Sequence, residues 1–262
     1  MECVQSADGT RIAFEKLGNG PPLVLVAGAF CDRRAKVAGL PLARELASEL
    51  TVFCYDRRGR GDSTDTAPYA VARELEDLAA LLAAAGGAAN VYGHSSGATL
   101  ALEAALAGLP ITKLALYEPP LVLDGSRPAM PAELPQQLAA LSEAGKLSEA
   151  AALFLTKAVG VPAAIVEQRK LTPGWASLES LAHTTSYEAR LTADPGSIVA
   201  RALQLTTPTA LFDGGKSQAW MRAGVEKLAR ALPRVTHVSL QDQSHDVDPR
   251  ALAPKLLGFF RR

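Results

Sequence analysis

The chain has 262 residues, 48% of them hydrophobic, with 27 basic side chains against 27 acidic ones. That length supports one large core, or a core with a modest insertion, and the balanced charge gives no footprint for nucleic acid or an anionic membrane surface. The opening MECVQSADGT lacks the basic head and apolar stretch of a secretory leader. The Ala/Gly-rich run at 78–89 is too short to span a bilayer. Three scattered cysteines, Cys3, Cys31 and Cys54, form no metal or disulfide pattern, so buried, reduced thiols in a cytoplasmic protein are expected.

In chain order, ECVQSADGTRIAFEKLGNG predicts a β-hairpin that turns at Asp8-Gly9. Residues 23–28 form a continuous apolar run ended by Gly, the pattern of a strand buried on both faces. Residues 33–50 start irregular and end helical, and 51–56 read as a second buried strand. Leu75, Leu78 and Leu82 carry helical spacing up to a stop at Gly86. NVYG is a short strand, SGATLALEAALAGLP a helix, and KLALYEPP a strand broken by two prolines. TPTALFDGG and THVSLQ are further strands, each followed by a helical pattern. Alternating strands and helices imply an α/β fold: a mostly parallel central sheet flanked by helices, with the hairpin adding antiparallel strands at one edge. Only helix-like pieces occupy 121–207. The expected organisation is therefore a core of 1–120 and 208–262 with a helical cap or lid inserted at 121–207.

The motif Gly93-His94-Ser95-Ser96-Gly97 fits G-x-S-x-G between a strand and a helix, and that context gives it weight. A sharp strand-to-helix turn would lift Ser95 out of the sheet, and the flanking glycines let strand and helix approach closely. Ser95 is thus the candidate nucleophile. Ser96 contributes its backbone N–H, at a helix N-terminus that favours developing negative charge. A serine hydroxyl needs a base. His94 lies inside the elbow, His183 in the helical insertion and His237 in a strand. His245 lies in a loop after the last strand, just before an expected N-cap at Asp248 and N1 at Pro249. Parallel strands deliver such loops to one edge of the sheet, which makes His245 the candidate base.

The segments VYGHSSGA, LVLVAGAF, YDRRGRGDS and LQDQSHDV resemble those of the α/β-hydrolase fold family, and with the strand order the resemblance covers nearly the whole chain. It implies a second oxyanion donor just after a His-Gly pair. Here that pair is Ala27-Gly28, so the donor is the Ala29 N–H, with Phe30 second. YDRRGRGDS matches a family loop whose glycines turn and whose Asp56 and arginines tie it down, which supports the fold rather than the chemistry. The family's usual acid position falls on Ser217, which cannot supply a charge. Glu118 is preferred as the acid, because LALYE resembles family members that carry it at the earlier strand end. Asp213 is the alternative, followed by Asp242 or Asp246 beside the histidine, or no acid at all.

The expected function is a serine hydrolase acting on a small carboxylic ester, lactone or related acyl compound through an acyl-enzyme and a Ser-His-acid mechanism. The same fold also hosts C–C bond hydrolysis, perhydrolysis and non-catalytic small-molecule binding. No cofactor or metal is implied. A small-molecule acyl substrate is the expected partner, and a homodimer is compatible with the sequence. Trp175, Phe154, Leu153 and Tyr187 could line an apolar pocket or pack the inserted helices on the core.

Overall fold

The structure is a computed structural model and describes every residue except 124, 126 and 262. Among the described residues eight strands, numbered in chain order, form one sheet in the order β1-β2-β4-β3-β5-β6-β7-β8. β1 (Glu2–Gln5), β2 (Arg11–Leu17) and β4 (Thr51–Tyr55) pair antiparallel at one edge, and every other pairing is parallel. The parallel part comprises β4, β3 (Pro22–Val26), β5 (Ala89–His94), β6 (Ile111–Tyr117), β7 (Thr209–Gly214) and β8 (Val235–Leu240).

The apolar run of β3 is buried on both faces because its side chains alternate between two cores. Val24 and Val26 join the core under α2 (Val71–Ala84) and α3 (Ser96–Leu106). Leu23 and Leu25 join the core under α1 (Leu40–Leu46) and α11 (Pro249–Phe260). The helix α3 is buried almost all round, so it presents no polar face to water. It sits so close to β3 that a Cβ on Gly97 would lie 2.2 Å from the Val26 carbonyl oxygen. The last helix starts as its sequence requires: the Asp248 side chain accepts from the Arg250 N–H, with Pro249 at the first helical position.

Between β6 and β7 the described residues form helices and no strand. These are α4 (Leu134–Glu143), α5 (Leu147–Phe154) with a π-helical turn at Leu155–Val159, α6 (Ala163–Lys170), α7 (Trp175–Ser180), α8 (Thr185–Leu191) and α9 (Pro195–Ala202). They carry a core of their own, built around Leu138, Phe154, Val166 and Trp175, and Ala29 and Phe30 of the loop after β3 pack against it. The remaining helix, α10 (Ala219–Ala231), packs with α9 and β7. Among the described residues no helix is long and apolar enough to cross a membrane. Of the three thiols only Cys54 is buried. Cys31 is half-buried and Cys3 exposed, because Cys3 lies on the edge strand β1.

Candidate active site

The C-terminal ends of β3, β5, β6, β7 and the loop after β8 converge on one edge of the sheet, where loops of a parallel sheet must meet. Ser95 sits between β5 and α3 with φ 56° and ψ −128°, a conformation that L-residues avoid. Both flanking glycines are sterically obligatory. A Cβ on Gly93 would fall 2.5 Å from the Gly97 oxygen, and one on Gly97 would meet the β3 backbone. Ser96 is the first residue of α3, and neither its N–H nor that of Ala29 has an acceptor among the described residues. Among the described residues two other non-glycines adopt positive φ, and both are at this edge: Phe30 (55°) and Glu118 (44°).

His245 meets a carboxylate here. Its Nδ1–H donates to Glu118 Oε2 at 2.7 Å, while Glu118 Oε1 accepts from the Gly214 N–H at 2.7 Å. Glu118 is fully buried, and its contact with Nδ1 leaves His245 Nε2 facing away from the carboxylate. Asp213 does not take this place. Its carboxylate accepts from His237 Nε2–H at 2.5 Å and from the Ser239 hydroxyl at 2.7 Å, both on the neighbouring strand β8. The side chains of Asp242 and Asp246 face Lys216 and Lys36 on the surface, and Ser217 is buried with a hydroxyl that has no partner among the described residues.

Two supports of His245 were not legible in the motifs. The Nε2–H of His94 donates to the His245 carbonyl at 2.8 Å, and the two rings lie 4.7 Å apart. The Tyr117 hydroxyl donates to the Ser244 carbonyl at 2.7 Å. Burial, followed by the neighbouring His245, pushes the pKa of His94 down to about 3, so its ring stays neutral. The only hint was position: His94 and Tyr117 are the last residues of β5 and β6. His183 serves elsewhere, donating from Nε2–H to the Gly59 carbonyl at 2.6 Å.

Ser95, Ser96, Ala29 and His245 open onto a cavity of about 450 Å³ whose exposed lining is mainly apolar. Phe30, Phe154, Leu155, Val159, Leu178 and Met221 supply much of that lining, so the inserted helices roof the sheet edge. Of the four aromatic and aliphatic residues considered for the pocket, Phe154 lines it. Trp175 packs inside the insertion with its indole N–H on Ser148. Leu153 packs against the same inner core, and Tyr187 stacks on Tyr69 and donates to Asp65. Cys31 also borders the cavity, but burial raises its thiol pKa, so it is a poor rival nucleophile.

Comparison with known proteins agrees with this architecture. A crystal structure of an alpha/beta hydrolase from Sphaerobacter thermophilus is 49% identical, covers 99% of this chain and 100% of its own, and superposes with a TM-score of 0.91. A hydrolase from Pseudomonas aeruginosa is 25% identical over 100% of this chain and 98% of its own, with a TM-score of 0.76. A curated protein of Enterobacter cloacae named "Putative carbamate hydrolase RutD" shares 41% identity over 70 residues, so the match spans 26% of this chain and 26% of that protein. The model of the alpha/beta hydrolase family matches residues 23–254, and the chain is therefore a hydrolase that belongs to the alpha/beta hydrolase family.

Proposed function

We propose that the protein is a serine hydrolase that cleaves a small carboxylic ester, lactone or related acyl compound through an acyl-enzyme. The observation that carries this reading is the buried Glu118 carboxylate on His245 Nδ1, at the mouth of a cavity that also holds the strained Ser95. The Ser95 hydroxyl attacks the acyl carbon while His245 Nε2 takes its proton, and Glu118 stabilises the imidazolium that forms. The oxyanion of the tetrahedral intermediate accepts from the Ser96 and Ala29 N–H groups, which have no other acceptor among the described residues. His245 then returns the proton to the leaving alcohol, and water clears the acyl-enzyme by the same steps. The apolar lining favours an uncharged acyl group of modest size. In this reading the enzyme is cytoplasmic, consistent with free Cys3, Cys31 and Cys54.

The test is covalent labelling with a fluorophosphonate probe and peptide mass spectrometry, followed by turnover of p-nitrophenyl esters of graded chain length and of aryl carbamates. Adduct on Ser95, its loss in Ser95→Ala and measurable ester turnover are expected. An unlabelled wild type, or equal labelling of Ser95→Ala, would remove the nucleophile. Labelling without turnover of any ester or carbamate would redirect the reading to C–C bond hydrolysis, perhydrolysis or ligand binding.

A further inference from the structure

The loop after β4 ends a buried strand with three arginines, Arg57, Arg58 and Arg60, and all three are almost wholly buried. Arg58 is tied to Asp77 and Asp8, far from the cavity. Arg57 and Arg60 point the other way, and the groups they hold are not consumed by the chemistry described above. Arg57 makes a two-pronged contact with Glu74 (2.7 Å on each prong), and its Nη1 reaches Glu188 Oε1 at 2.8 Å. Arg60 Nη2 also pairs with Glu188 Oε1. Two guanidinium cations therefore face two carboxylates in a dry interior, a balanced set that tolerates burial where a lone charge would not. Glu74 comes from α2, whereas Glu188 comes from α8 of the insertion and borders the cavity.

Further N–H groups of these arginines go to the backbone of the loop after β3, while Arg60 Nε has no partner among the described residues. Arg60 Nη1 donates to the Gly28 carbonyl at 2.7 Å and the Cys31 carbonyl at 3.1 Å, and Arg57 Nη1 donates to the Ala27 carbonyl at 3.2 Å. In a planar trans peptide the carbonyl of one residue and the N–H of the next point in opposite directions. The Gly28 carbonyl and the Ala29 N–H belong to one such plane. Anchoring that oxygen on Arg60 therefore aims the Ala29 N–H to the opposite side, the side of the cavity that Ala29 lines. This loop needs such an anchor. Phe30 holds a positive φ next to Ala29, a conformation that relaxes unless its surroundings enforce it. Ala27, moreover, has no side-chain polar group of its own to fasten the loop.

We propose that Glu188 and Arg60 are positioning residues for the oxyanion site: Glu188 on the inserted helix α8 fixes the guanidinium of Arg60, which fixes the Gly28–Ala29 peptide. The insertion thereby sets the geometry of the catalytic loop as well as roofing the cavity. This inference rests on the acyl-hydrolase reading, since it assigns the Ala29 N–H to the oxyanion.

The experiment compares wild type, Glu188→Gln and Arg60→Lys in the full chain. Active sites are counted by end-point fluorophosphonate labelling, and kcat and KM are measured per labelled site on a p-nitrophenyl ester. The Ki of a trifluoromethyl ketone, which reproduces the tetrahedral oxyanion, is measured alongside. Removing an oxyanion donor outright costs about 100- to 1,000-fold in kcat, and misaiming one should cost on the order of 10-fold or more. Expected is that loss in kcat with KM within about twofold, accompanied by a rise in Ki of similar factor. A merely structural role would lower the number of labelled sites or the thermal midpoint and leave kcat per site and Ki unchanged. The proposal is overturned if kcat per site stays within about twofold of wild type, or falls while Ki does not rise. Should Glu188→Gln fail to fold, Arg60→Lys, which keeps the cation but loses the planar fork, carries the same comparison. A wild type that takes up no probe would count against the hydrolase reading instead.

Discussion

Replacement of Glu118 by Gln probes the acid of the proposed triad with little change of shape. One oxygen of Glu118 accepts from the Gly214 N–H at 2.7 Å and the other from His245 Nδ1–H at 2.7 Å. A glutamine must place its carbonyl oxygen on Gly214, because the reverse orientation would set an NH₂ against an N–H. The amide NH₂ then faces His245 Nδ1, which can meet it only as an acceptor. The proton of the neutral ring moves to Nε2, the nitrogen that must take the proton of Ser95. Both hydrogen bonds survive in altered polarity, so stability should change by about 1 kcal/mol or less. The reaction, however, loses both the correct tautomer and the carboxylate charge behind the imidazolium. In other triads this change lowers kcat by about 10⁴-fold, a rise of about 5 kcal/mol in the barrier. The assay is steady-state hydrolysis of a p-nitrophenyl ester by Glu118→Gln, with urea or thermal unfolding of the same preparation. A kcat within about tenfold of wild type in a folded variant would refute the assignment of Glu118.

Two further outcomes follow from the same contacts. Asp213→Asn should leave kcat within about threefold of wild type in the same ester assay, since Asp213 serves His237 and Ser239 rather than His245; its cost should appear in stability, at about 1–3 kcal/mol. A fall of more than a hundredfold in kcat would return the acid to Asp213. His94 titrates near 6.5 when unfolded and at about 3 when folded, so below pH 6.5 the unfolded chain binds a proton that the native state refuses. Its share of stability is complete above that pH and is lost as pH falls towards about 3, at about 1.4 kcal/mol per unit. Between pH 7 and 5, urea unfolding of wild type should therefore lose about 2 kcal/mol more than that of His94→Gln, and equal losses would contradict the assignment of a buried, neutral His94.

The elements legible in the sequence were those whose physical constraint is local. β3 had to be a buried strand because every residue in it is apolar, and the helix after Asp248-Pro249 announced its own N-terminus. Ser95 was marked by two glycines, each excluded from carrying a Cβ by backbone oxygens within 3 Å. His245 could be placed because a parallel sheet sends loops to one edge. Choosing between Glu118 and Asp213 required tertiary information, for both end adjacent strands and both are buried carboxylates. What separates them is direction. Asp213 lies within β7 and its side chain falls on the sheet face beside His237 and Ser239, whereas Glu118 is one residue past β6, where a positive φ turns it to the edge. The arginines of YDRRGRGDS were read as loop ties. That reading was incomplete because their acceptors, the carbonyls of 27, 28 and 31 and Glu188 of the insertion, are 29 to 131 residues away along the chain.

Strain accounts for what the motifs share and what they hide. Phe30, Ser95 and Glu118 each hold a positive φ, at about 1–3 kcal/mol apiece. Glycine at any of these positions would relieve the backbone, yet the proposed chemistry needs the hydroxyl of Ser95 and the carboxylate of Glu118, and Phe30 forms the cavity wall against Phe154 at a centroid separation of 5.5 Å. The surrounding sheet must therefore impose the geometry. The Ser95 N–H donates to the Tyr117 carbonyl, the Glu118 N–H to the Phe212 carbonyl, and the Gly214 N–H to Glu118 itself, so β5, β6 and β7 are laced in sequence at their C-terminal ends. Phe30 lies outside that lacing, since β3 ends four residues before it. Its restraint comes from the insertion, through packing on Phe154 and through the Arg60–Glu188 contacts on either side of it. The sheet alone can thus hold the proposed nucleophile and acid, whereas the loop proposed to bind the oxyanion depends on the helices inserted between β6 and β7.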